Sequence, residues 1–136
     1  MDELTIEATL ENLPKAEEFV DKHLELMAIP KHIQMQIDIA VDELMTNIVS
    51  YAYRPETGPA TVRVEVQEDP VAVVITFIDH GVPYDPLATK DPDTSLSLDD
   101  RDPGGLGILL VKKSMDDISY SYSNGQNILS IKKNIS

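Results

Sequence analysis

The chain has 136 residues, 42% of them apolar, and carries 24 acidic against 11 basic side chains for a formal net charge of -13. That balance repels the phosphate backbone of nucleic acid and no segregated basic surface offsets it, while the length suits one compact domain, here expected over residues 1–136, with a core of its own. The absence of cysteine excludes disulfides and thiolate metal sites.

The amino terminus is acidic, and no segment approaches the roughly 20 apolar residues of a membrane span, so a cytoplasmic protein without membrane contact is expected. Residues 4–10 alternate apolar and polar and predict a strand. Helical spacing takes over at residues 12–28, with Pro14 near the first turn and Pro30 just beyond the end. A second helix is expected over residues 31–53, because Ile33, Ile37, Ala40, Val41, Leu44, Ile48 and Ala52 fall on one stripe, and Pro55 and Gly58 stop it. Residues 60–67 and 71–78 read as two strands of a hairpin. From Asp79 to Gly104 the chain then holds four of its nine prolines and seven aspartates, too polar to pack tightly and too long for an ordinary connection. A third helix is expected from Gly107 onward. Two closing strands, residues 118–123 and 127–133, flank Asn124-Gly125, a strong hairpin signal. The order predicts an α+β fold: a two-layer sandwich with helices on one face of a mixed, largely antiparallel sheet. Met27, Met35 and Met45 read as core filler.

Three polar features bear on function. On the second helix Glu43 and Asn47 lie about 40° apart at about 100° per residue, beside the apolar stripe and within reach of a cavity at the edge of the core. The Asn47 amide oxygen could complete the shell of a magnesium ion, which takes few protein ligands, and the Glu43 carboxylate could take a proton from an attacking hydroxyl. After the strand that ends near Ile78, Asp79 could accept a hydrogen bond from an exocyclic amine such as that of adenine, while Gly81 lets the backbone approach a flat ring. Half of the chain's six glycines then fall at 104, 105 and 107. They permit a nest of inward-pointing N–H groups before a helix, for which phosphate is the natural guest. Each feature alone has an ordinary alternative: a boundary residue, a turn leaving a strand, a loop. No histidine has the spacing of a metal site.

The ordered triplet E-x-x-x-N, D-x-G-x-P and G-G-x-G resembles the ATP-binding domains of the gyrase, Hsp90, histidine-kinase and MutL superfamily. The segments "DELMTNIVSYAY", "DHGVPYDP", "GGLGILLVKKSMDDISY" and "NGQNILSIKK" are similar to those of its small anti-sigma factor serine/threonine kinases of the RsbW and SpoIIAB kind. The resemblance implies ATP and magnesium as cofactors, Asn47 on the metal, Glu43 as catalytic base, and Asp79 with Gly81 on adenine. It implies that the backbone of Gly104, Gly105, Leu106 and Gly107 cradles the phosphates, and that residues 85–103 form a lid over ATP. It also implies a homodimer that phosphorylates a serine of an anti-anti-sigma partner of the STAS type and binds a sigma factor. Two departures are visible. The lid arginine of the spore-type members falls near Pro103, leaving Arg101 as its nearest substitute, and Tyr51 stands where relatives often have histidine. A detached histidine-kinase catalytic domain is the nearest enzyme alternative, but no phenylalanine lies between Asp79 and Gly107 to make its usual F box. A nucleotide-sensing module that sequesters a partner without phosphorylating it is not separated from the kinase by sequence.

Overall fold

The computed structural model describes residues 2–68, 70–88 and 105–135. In chain order these form β1 (Asp2–Glu7), α1 (Leu13–Leu26), α2 (Lys31–Tyr51), β2 (Pro59–Gln67), β3 (Ala72–Asp79), α3 (Gly105–Ser114), β4 (Asp117–Ser123) and β5 (Gln126–Asn134). β1 is shorter than the alternation suggests because the chain turns after Glu7. There the Asn12 side-chain amide donates to the Glu7 carbonyl at 2.9 Å and a single 3-10 turn, Leu10–Asn12, leads into α1.

The five strands lie in the order β1-β2-β3-β5-β4, and each adjacent pair is antiparallel. The expected sheet is thus antiparallel in every pair among the described residues. The β4–β5 hairpin turns on Asn124 and Gly125, both at positive φ (53° and 77°), as its tight two-residue turn requires.

One face of the sheet carries the core. Ala60, Val62 and Val64 of β2, Val73, Ile75 and Phe77 of β3, and Leu129 and Ile131 of β5 are buried at alternating positions. Against them pack Ala16, Val20 and Leu24 of α1, the stripe Ile33, Ile37, Ala40, Val41 and Leu44 of α2, and Ile108 and Val111 of α3. The helices therefore form a second layer on one face, the two-layer arrangement expected. Met45 is fully buried and Met27 packs against the core, but Met35 is 62% exposed. It sits midway between Ile33 and Ile37, about 200° around the helix from each, so the stripe that buries them turns it to solvent.

α2 and the exit of β3 are tied together directly. The Val82 N–H donates to the Ala52 carbonyl, just past the end of α2, at 3.0 Å. The Tyr53 hydroxyl donates to the Pro59 carbonyl at 2.5 Å and accepts the His80 N–H at 2.7 Å. These bonds bring the Asp79–Gly81 corner to the end of the long helix.

Candidate nucleotide site

Between α2, the exit of β3 and the β4–β5 hairpin lies a cleft enclosing about 430 Å³ of empty space, part of it continuous with solvent. Phe77 and Leu129 belong to its apolar lining, and Asn47, Asp79 and Asn127 supply its polar groups. Tyr51 and Tyr84 also line it, their rings 5.4 Å apart and tilted by 33°. An apolar cleft with a few convergent polar groups is the usual form of a small-molecule site.

Asn47 enters this cleft from α2, one turn after Glu43. Its Nδ2 is buried and has no hydrogen-bond partner among the described residues. A buried amide left unmet costs on the order of 1–3 kcal/mol unless a ligand serves it. Turned over, the same group offers its oxygen, so it suits either a hydrogen-bond acceptor or a cation. Among the described residues no cluster of three or more His, Cys, Asp or Glu is placed to hold a metal. A single amide ligand fits magnesium, which keeps waters and substrate phosphates in its shell, better than it fits an ion caged by protein.

Glu43 does not line the cleft; its carboxyl lies against Gly107 in α3. Burial first, and the charge of Asp42 second, raise its carboxyl above the ordinary range. A Cβ added to Gly107 would overlap the Glu43 carboxyl group, so the missing side chain at 107 is the space that Glu43 occupies. α3 starts at Gly105, and Gly105, Leu106 and Gly107 thus make the first helical turn and not a loop before it. The expected start at Gly107 is corrected by two residues. The first N–H groups of a helix have no partner within it and lie at its positive end, so this turn is suited to an anion. Gly104, Arg101, Pro103 and the greater part of the expected lid lie outside the described residues; of the lid, Asp85 accepts the Leu87 N–H at 2.8 Å in a short 3-10 turn.

Asp79 is the last residue of β3 and only 5% exposed. Its Oδ1 accepts the Gly81 N–H and the Asn127 Nδ2, both at 2.9 Å, and neither bond uses Oδ2. Gly81 also has a packing reason to be glycine. The volume a side chain would fill is taken by the backbone and Cβ of Ala52, so Gly81 lets the strand exit close on α2.

Asn127 is a further polar residue of the cleft that none of the short motifs includes. It occupies the buried face of β5 in phase with Leu129 and Ile131, and a polar residue in that phase is the signal that marks it. Its Oδ1 accepts from the Tyr84 N–H at 3.1 Å and from the Tyr120 hydroxyl, and its Nδ2 donates to Asp79 and to the Val82 carbonyl at 2.8 Å. Burial raises the Tyr120 phenol above its ordinary value.

Residues 6–133 match the histidine kinase-like ATPase domain. The chain belongs to that family. Among the relatives of this ATPase-domain chain, Serine/threonine-protein kinase BtrW of Bordetella bronchiseptica is 32% identical over 99 residues, 73% of this chain and 69% of that protein. Serine-protein kinase RsbW of Bacillus cereus is 31% identical over 98 residues, 69% of this chain but only 60% of its own length. The crystal structure of the RsbU and RsbW domains of Rv1364c from Mycobacterium tuberculosis matches 99% of this chain and 33% of that one, with a TM-score of 0.68 at 13% identity, a likeness of fold. Among the described residues no helix is long and apolar enough to cross a membrane.

Proposed function

We propose that the chain is an ATP- and magnesium-dependent protein serine kinase, which phosphorylates a serine of an anti-anti-sigma partner and restrains a sigma factor. The reading is supported by the family, by relatives named serine-protein kinases and, above all, by one observation. The buried, unmet amide of Asn47 and the carboxylate of Asp79 share a cleft, and one turn from Asn47 the Glu43 carboxyl fills the space left by Gly107 at the start of α3.

In this reading the adenine amino group donates to Asp79 and the phosphates rest on the first turn of α3. Asn47 would hold the magnesium ion, which supplies charge neutralisation along the phosphates when bound. The partner's serine oxygen bonds to the γ-phosphorus as the bond from that phosphorus to the departing ADP breaks. Glu43 takes the serine proton. Its raised pKa suits the task, since a base works best when its pKa lies nearer the working pH than that of an ordinary carboxylate.

Incubation with γ-labelled ATP, magnesium and an anti-anti-sigma protein tests the proposal. Label is expected on a partner serine; Glu43→Ala should lose at least about a hundredfold in rate while still binding nucleotide. Asn47→Ala should weaken the magnesium-dependent part of ATP affinity. Tight partner binding with no label under any condition would overturn the kinase reading in favour of a sequestering module.

A further inference from the structure

We infer that Asn127 is a positioning residue that sets which base the cleft accepts, by holding Asp79 as a hydrogen-bond acceptor with Oδ2 left for the base. The inference rests on the proposal that Asp79 receives the base of a nucleotide. It begins with the direction of the Asn127 amide, which its neighbours leave no freedom to reverse. The Tyr84 N–H on Oδ1 can only donate, and the Val82 carbonyl facing Nδ2 can only accept. Nδ2 must therefore be the end that meets Asp79 Oδ1, at 2.9 Å. The Gly81 N–H supplies a second donor to that same oxygen. With two donors on Oδ1, the carboxylate is held as an acceptor in a fixed plane, and Asp79 lines the cleft. A carboxylate oxygen so placed accepts from an exocyclic amino group, as on adenine, and opposes the keto oxygen that guanine carries on the same edge.

The register makes this arrangement specific to one residue. Asn127 is the direct cross-strand partner of Asp79 in the β3–β5 pair. It is 6% exposed, so its bonds are made without competing water.

Calorimetric titration of the full chain with ATP and with GTP tests the inference, on wild type, Asn127→Asp and Tyr120→Phe. Asn127→Asp is nearly isosteric but turns an oxygen toward Asp79 Oδ1, so the pair must share a proton and Asp79 ceases to be a pure acceptor. Its preference for ATP over GTP should fall about tenfold or more, the scale of a hydrogen bond to a charged group. Tyr120→Phe removes one of the two donors that orient the amide, and should lower the preference about threefold, in line with an ordinary hydrogen bond. That variant carries the test if Asn127→Asp does not fold. A folded variant that is less stable yet keeps the wild-type ATP-to-GTP ratio would overturn the inference alone, reducing Asn127 to a structural filler. Wild-type protein that binds neither nucleotide, or both equally, would instead sink the assignment of Asp79 to the base and the inference with it.

Discussion

Gly107 and Gly81 both lack a side chain because something else needs the space, but the two neighbours differ in how they would yield. At 107 the neighbour is the carboxyl end of Glu43, a flexible side chain that can swing away. Gly107→Ala should therefore fold at least as well as wild type, because alanine favours a helix over glycine by up to about 1 kcal/mol. Phosphotransfer should nevertheless be lost as Glu43 is displaced. A thermal melt beside a phosphotransfer assay checks both halves, and a variant with full activity would detach Glu43 from the chemistry. At 81 the neighbour is the Ala52 backbone, which cannot move without shifting the end of α2. Gly81→Ala should cost about 1–3 kcal/mol in denaturant unfolding, as overpacking does. Both glycines are visible in the sequence, but their reasons are not, since each depends on a residue dozens of positions earlier.

Between α1 and α2 runs a seam of like charges on which stability should depend. Glu17 and Asp21 of α1 face Asp42 and Asp38 of α2, near enough for the carboxyl groups to act on one another, and Gln34 donates to Asp21 at 3.2 Å. A proton on one carboxyl group of such a pair relieves the repulsion and gives it a donor for the other. Burial first, then the facing carboxylates, push Glu17 and Asp38 each up to about 7, with Lys31 opposing at Asp38. Both values lie above those of the unfolded chain, so the native state binds more protons in between. The contribution of the seam is complete below about pH 4, falls as pH rises through 7, and is absent above. Asp38→Asn supplies an N–H donor in place of the proton. It should raise stability at pH 8 by on the order of 1 kcal/mol, after allowance for solvent screening, and flatten the profile between pH 5 and 8. Thermal melts across that range decide it, and an unchanged slope would count against the seam. The elements themselves were largely legible, since periodicity reports burial and α2 buries the stripe its spacing marks. The start of α3 was not, because glycine punctuates most chains as a turn, whereas Gly107 lies inside a helix to make room for Glu43.

At the scale of the whole molecule, strand order assembles the candidate site. Placing β5 between β3 and β4 sets Asn127 opposite Asp79, and the β3 exit closes on the end of α2 through Val82 and Ala52. Asn47, Asp79 and the glycine turn were each legible as short motifs. Asn127 was not, because its partners Asp79, Val82 and Tyr84 lie 43 to 48 residues earlier and only the sheet brings them together. The central claim is that α2, the β3 exit and the first turn of α3 serve one metal-bound nucleotide. Nuclear magnetic resonance of the isotope-labelled chain during titration with ATP and magnesium tests it most directly. The Asn47 side-chain amide and the backbone amides of Gly81, Gly105 and Gly107 should all shift along one saturation curve with a single affinity. Shifts confined to one of the three segments, or none at saturating nucleotide, would contradict it.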